Sequence, residues 1–195
     1  GFRSNERDEQ RAMASSANAG YTFAEAFGKP RLALEYDFAT GDSDPNDGRH
    51  ETFDNLFPTN HKFYGYADLV SWQNIHDVRG IFQLRPHRRV SLALEGHAFW
   101  LADTHDRFYN VAGLGRAGAG ASGAPGSGSG YGMNPGYDSF VGNELDAICG
   151  IALAKFANLE LGYAHFFRGG YIRDSLGTGG SRDADWFYAQ LSLRF

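Results

Sequence analysis

Residues 184–195 alternate over their whole length and end on an aromatic ring. Phe187, Ala189, Leu191, Leu193 and Phe195 fall on one face of an extended strand, with Gln190, Ser192 and Arg194 on the other. Side chains of a strand point alternately to its two faces, so one apolar face about ten residues long results. That length and pattern suit a stave of a transmembrane β-barrel. A soluble sheet shows the same alternation with its apolar face turned inward, so the rest of the chain must decide.

Six further segments carry the same period of two. In Arg31 to Ala39, Leu32, Leu34, Tyr36 and Phe38 oppose Arg31, Ala33, Glu35 and Asp37. In Asp77 to Arg85, Val78, Phe82 and Leu84 oppose Asp77, Arg79, Gln83 and Arg85. Val90 to Phe99 sets Val90, Leu92, Leu94 and Ala98 against Ser91, Glu95 and His97. Leu145 to Leu153 sets Leu145, Ala147, Cys149, Ile151 and Leu153 against Glu144 and Asp146. Leu159 to Phe167 alternates with His165 as the exception, and a weaker segment runs from about Ala17 to Phe27.

The chain holds 195 residues, 42% hydrophobic and 15% aromatic, with no apolar run long enough for a membrane helix. Alternation hides apolar faces in such an average, so a barrel remains open where a helical span does not. A net charge of −5 gives no reason to expect nucleic acid as a partner. The single Cys149 rules out an internal disulfide. The start, Gly1 to Asp8, is charged rather than apolar. An exported barrel needs a secretory signal, so the chain is expected to be processed, truncated or one part of a longer protein.

Connections separate lipid from solvent better than alternation does. Short links at Gly28-Lys29-Pro30, Pro86 to Arg89 and Ala157-Asn158 alternate with long ones at about 41–75, 103–142 and 170–183. Short turns on one rim and long loops on the other are the outer-membrane arrangement. The fold class expected is therefore all-β, an antiparallel transmembrane β-barrel. If the last strand ends in the periplasm, the strand near Ala17 runs the same way, which makes the count odd, about seven. Single-chain bacterial barrels have even counts, so residues 1–195 read as the C-terminal portion of one larger barrel domain. Width points the same way, because a barrel of about eight strands is filled by its own side chains. Here the inward face is lined by charge.

Two loops stand out. Residues 113–132 are nearly all Gly, Ala and Ser, a flexible tract with little to pack. The 41–75 loop is rich in Phe, Tyr, Leu and Trp and is expected to fold over or into the lumen, with a helical turn at Asp68 to Trp72. Within it Asp42, Asp44, Asn46 and Asp47 place oxygens at alternate positions, as at the start of a calcium loop. It is not an EF-hand, since Asp47 and Phe53 stand where Gly and Glu belong. A structural Ca²⁺ is the one ion considered, against simple turn chemistry; no other cofactor is expected. His50, His61, His97 and the His105-Asp106 pair do not assemble with a serine into a recognisable catalytic set, so no enzyme is expected. The inward charges Glu35, Asp37, Asp77, Arg79, Arg85, Glu95 and His97 are the candidate solute-binding residues. Arginines among carboxylates either brace the wall or filter anions without holding them too tightly.

The end of the chain also looks like the C-terminal signal that outer-membrane proteins present to the barrel-assembly machinery. Four blocks are more specific: Tyr36 to Asp42, Thr52 to Tyr66 with its Phe57-Pro58-Thr59-Asn60-His61 core, Asn74 to Arg79, and His97 to Asp106. These resemble the alginate-export family of bacterial outer-membrane proteins. The resemblance runs from about Leu32 through Phe195. It implies a large monomeric barrel of about eighteen strands whose C-terminal part this is. It also implies a charged lumen that passes an anionic polysaccharide such as alginate, with lipid around it and the missing N-terminal strands, or other chains, beside it. A general or solute-specific uptake porin is the alternative for the same wall, and a structural or surface-interaction module a third reading. The Gly/Ala/Ser tract is a departure from the family pattern.

Overall fold

The computed structural model describes residues 9–56, 61–116, 131–180 and 182–194. Among them are strands β1 (Glu9–Gln10), β2 (Ala14–Thr22), β3 (Arg31–Ala39), β4 (Arg49–His50), β5 (Ile75–His87) and β6 (Val90–Leu101). The chain continues with β7 (Phe140–Ala154), β8 (Ala157–Arg168), helix α1 (Gly170–Gly180) and β9 (Ala184–Leu193). The described strands are all-β in character, and seven form one sheet in the order β2-β3-β5-β6-β7-β8-β9. Every neighbouring pair in it is antiparallel. β1 and β4 make only a two-residue parallel pairing in the loop region.

Each strand follows the alternation of its sequence, and the cross-strand register joins the apolar faces. Leu34 lies beside Ala19, Val78 beside Tyr36, Leu94 beside Phe82, and Phe187 beside Tyr163. The chain turns tightly at Arg88-Arg89 and at Lys155-Phe156. It also turns at residues 23–30, where Gly28 and Lys29 both take positive φ. All three lie on one rim, and the three long connections leave from the other.

Two boundaries differ from the sequence reading. The first sheet strand ends at Thr22 rather than running to Phe27, because Phe23 bonds back to Pro30 and Ala26 to Phe23 across the turn. Ala157 and Asn158 open β8 instead of forming the turn. Residues 68–72 make no helical turn, since Asp68 has a left-handed backbone (φ 55°). Helix α1 was not expected, its several glycines being poor helix formers. It is fixed by burial of Tyr171, Ile172 and Ser175 on one side, and the Tyr171 hydroxyl donates to Gly132 O at 2.9 Å. Phe57 to Asn60, the 117–130 stretch of the Gly/Ala/Ser tract and Phe195 lie outside the described residues.

The polarity of this sheet is inverted relative to a soluble protein. Leu34 is 61% exposed and Phe187 69%, while Asp77 and Asp146 on the opposite face are wholly buried. The long connections cover that polar face. Near their rim, Ala39, Ile75, Phe99, Leu101, Val141 and Phe166 of the strands pack with Tyr64, Val70, Phe108 and Tyr171 of the loops and helix. Two side chains stitch the loops to each other. Asn74, fully buried, donates to Asp103 O and Arg107 O (2.9 and 3.0 Å) and accepts from Asp103 N at 2.8 Å. Asp106 accepts from Asp42 N, Thr52 Oγ1 and Tyr109 Oη at 3.1, 2.6 and 2.9 Å. Asn74→Ala removes three hydrogen bonds and leaves buried backbone groups unpaired, a loss of about 2–4 kcal/mol in loop docking. Hydrogen exchange should then speed up across 103–107 while the strand amides stay protected.

A candidate solute pathway along the polar face

Three tiers follow one another along the polar face from the short-turn rim upward. The lowest is a basic groove. Inner-facing residues at the short-turn ends of the strands are Arg31, Gln83, Arg85, Ser91, Asn158, Glu160, Gln190 and Ser192. Two adjoining hollows lie among them, of about 400 and about 490 Å³. Arg88, Arg89 and Arg194 border the first, and Lys29 and Arg31 the second. Among the described residues no ion pair takes up Arg31, Arg85, Arg88, Arg89 or Arg194. Glu160 is already engaged by Lys62 Nζ at 2.9 Å and by the Tyr188 hydroxyl at 2.8 Å.

Above the groove the charges are paired and buried. Arg79 donates from Nη1 to Glu35 Oε1 at 2.9 Å and from Nε to Glu95 Oε2 at 3.0 Å. Its Nη2 reaches Glu95 as well, and donates to Lys62 O of the long loop at 2.8 Å. One side chain on β5 therefore ties β3, β6 and the loop together. Next along the strands, His97 Nδ1 meets Asp77 Oδ2 at 2.8 Å, and its Nε2 lies 3.8 Å from Asp146 Oδ2. Asp37 is buried and sits opposite Asp77 in the register. Six of the seven sequence candidates thus gather in this tier, and Arg85 stands apart in the groove.

The loop lies directly on the paired tier. Glu144 Oε1 accepts the Ala67 N–H at 2.8 Å, and Trp72 Nε1 donates to Phe38 O at 3.1 Å. Tyr66 stacks on Tyr188 with ring centroids 5.9 Å apart and planes 7° from parallel. Burial pushes the Tyr64 and Tyr66 phenols well above the ordinary tyrosine range, so the loop presents them to the wall neutral. On the far side of the loop, Arg116 donates to Leu69 O at 2.5 Å and sits over the Phe108 and Tyr131 rings at 5.1 and 5.6 Å.

A family model described as alginate export matches residues 1–184. The chain belongs to the alginate export family. That is a transport family rather than an enzyme family. No curated protein matches the chain.

Three of the four oxygen residues of the first long loop cap turns. Asp42 Oδ1 accepts from Asp44 N, Asp44 Oδ1 from Asn46 N and Asp47 Oδ1 from Arg49 N, at 3.2, 3.1 and 2.8 Å. One oxygen of each of these three carboxylates is taken by a backbone donor two residues further on.

Sequence reasoning singled out inward charges but gave no role to Lys62, Asn74, Glu160 or Tyr188. Their partners lie 98, 29, 98 and 28 residues away, and no local pattern carries such pairings. Two outcomes follow in this alginate export family member. Arg79→Ala strands Glu35 and Glu95 without their cation and frees Lys62 O. It should cost about 3–5 kcal/mol and expose the loop near Lys62 to limited proteolysis. Burial, then the Asp106 carboxylate, raises the Asp42 carboxyl above its ordinary range. A raised acid is stabilising while protonated, and that contribution is lost as pH rises through its folded pKa. Asp42→Asn should therefore match the wild type in thermal melting below about pH 4 and become the more stable of the two toward neutrality.

Proposed function

We propose that this chain is part of a transmembrane β-barrel in the bacterial outer membrane and forms one wall of a passive channel for an anionic polysaccharide or related acidic solute. The observation that carries the reading is the inverted sheet. Leu32, Leu34, Phe82, Leu94, Leu145, Tyr163 and Leu191 are exposed on a continuous apolar face, while charged residues are buried on the other. Burying such side chains is worth about 1.5–3 kcal/mol each, and a hydrocarbon layer around the barrel supplies that burial. The edge strands support a larger barrel. β2 and β9 run in the same direction, so an antiparallel barrel needs further strands between them, and among the described residues neither outer edge is paired. Lipid on the apolar face, the barrel-assembly machinery and N-terminal strands of the same protein are the partners this reading requires.

The solute class rests on the groove. Five arginines at one rim, without acidic partners among the described residues, attract polyanions, and Gln190, Ser192 and Asn158 offer neutral hydrogen bonds to hydroxyl groups. No bond is made or broken; passage follows a gradient. Planar-bilayer conductance of the full-length protein tests the reading. Oligoalginate should block the current from the short-turn side, and Arg31→Ser with Arg85→Ser should weaken that block roughly tenfold, more so at low salt. Equal block by a neutral oligosaccharide would point to an uptake porin instead. A protein that carries no current at all would sink both channel readings.

A further inference from the structure

Asp146 poses a problem that the channel reading leaves unsolved. Its side chain is fully buried, and neither oxygen has a hydrogen-bond donor. Its neighbour two residues back, Glu144, is 1% exposed and has one oxygen on the Ala67 N–H and the other unpartnered. The two side chains stand two residues apart on the inner face of β7, opposite His97 and Glu95 of β6. An isolated carboxylate in such a place would cost many kcal/mol, and two side by side far more. A proton between them resolves this, because a carboxylic acid can donate where a carboxylate cannot.

Among the described residues no cation donates a hydrogen bond to the pair. From β6 the pair is faced by Glu95 and His97, and from β5 by Asp77 and Arg79. Arg79 is saturated by Glu35, Glu95 and Lys62 O, and His97 is bound through Nδ1 to Asp77 while its Nε2 stops 3.8 Å short of Asp146 Oδ2, beyond hydrogen-bond distance. From the loop come Tyr66 and Asp68, from β8 Glu160, and from β9 Tyr188, all neutral or acidic.

We propose that Glu144 and Asp146 share one proton and that this proton site latches the long loop to the wall. With the proton present, Glu144 is held in place by Asp146 and accepts the Ala67 N–H. The fit around it is close: Gly65 has a left-handed backbone (φ 85°), and a Cβ there would collide with the Glu144 carboxylate. When the proton leaves in alkali, two buried carboxylates repel one another. Glu144 turns toward water, the Ala67 bond breaks, and the loop lifts from the lattice. The proposal rests on the channel reading only for its consequence, a wider lumen at higher pH; the proton and the loop movement stand without it.

The test uses the full-length protein in lipid vesicles, with Cys149→Ala to remove the native thiol and Ala67→Cys as the probe. Infrared spectra should show a protonated-carboxyl band that disappears as the pH is raised into alkali and is absent in Asp146→Asn. Over the same range maleimide labelling at position 67, taken at each pH relative to a free thiol of the same solution so that thiol ionisation cancels, should rise roughly tenfold, the effect of losing one charge-assisted hydrogen bond. Asp146→Asn should keep labelling low at every pH, because its amide donates to Glu144 permanently. Glu144→Ala should keep it high throughout, with β-sheet circular dichroism showing that both variants fold. A band that persists in Asp146→Asn, labelling that ignores pH, or a response to Na⁺ or Ca²⁺ in place of pH would overturn the proposal. None of these readouts needs solute to pass, so a failure of the channel reading would show separately as absent conductance.

Discussion

The Arg79 guanidinium is held by two carboxylates from neighbouring strands and by a carbonyl from the long loop, and the rest of the polar face is arranged around that contact. A guanidinium presents its donors in a fixed planar fork, so the three partners also fix each other's positions. With Lys62 O held at this point, Lys62 Nζ reaches Glu160, Tyr66 reaches Tyr188, and Ala67 reaches Glu144. The loop is thereby pressed onto three strands beyond the one that carries Arg79. Burial of the acidic tier follows from this covering, since the sheet alone would leave its polar face open.

Covering one face leaves the other without a partner. A single sheet has two faces, and the long loops lie on the charged one. The apolar face gains nothing from them, and in water its exposed leucines and aromatics would drive association. The same side chains against hydrocarbon are at no disadvantage. Backbone groups tell the same story, because a sheet in a lipid layer must pair every edge, which is why membrane sheets are closed. On the proposed reading, the parallel directions of β2 and β9 call for additional strands to close the barrel rather than a joint between these two.

Period-two alternation was enough to locate all seven sheet strands and assign their faces, because a strand's faces are a local property of its sequence. Pairing is not local, but with short turns on one rim the register of β5 with β6 and of β7 with β8 is nearly forced. What sequence could not show was the fate of the long connections. Tyr64, Val70 and Trp72 announced a buried loop without saying against what, and Asp68 to Trp72 looked helical because nothing in the string reveals a left-handed Asp68. Helix α1 was hidden for the converse reason, since tertiary contacts at Tyr171 and Ile172 overrule weak local propensity. The inward charges were visible as a set, yet their separation into a paired tier and an open groove depends on Lys62 O and Glu160, both far away in sequence.

That separation matters for a polyanion. A bare wall displaying Glu35, Asp37, Asp77, Glu95, Glu144 and Asp146 would repel it, whatever arginines stood at the entrance. On the proposed reading, the loop changes the surface the solute meets. It covers the carboxylates with neutral tyrosines and a lysine, and a low-dielectric layer of side chains separates them from the lumen. The groove arginines remain open to water at the rim, where screening keeps each contact weak enough to release. On the proposed reading the loop is therefore more than an obstruction in the channel. It insulates the passing chain from the acids that hold the wall together, and the same acids hold the loop in the place where it can do so.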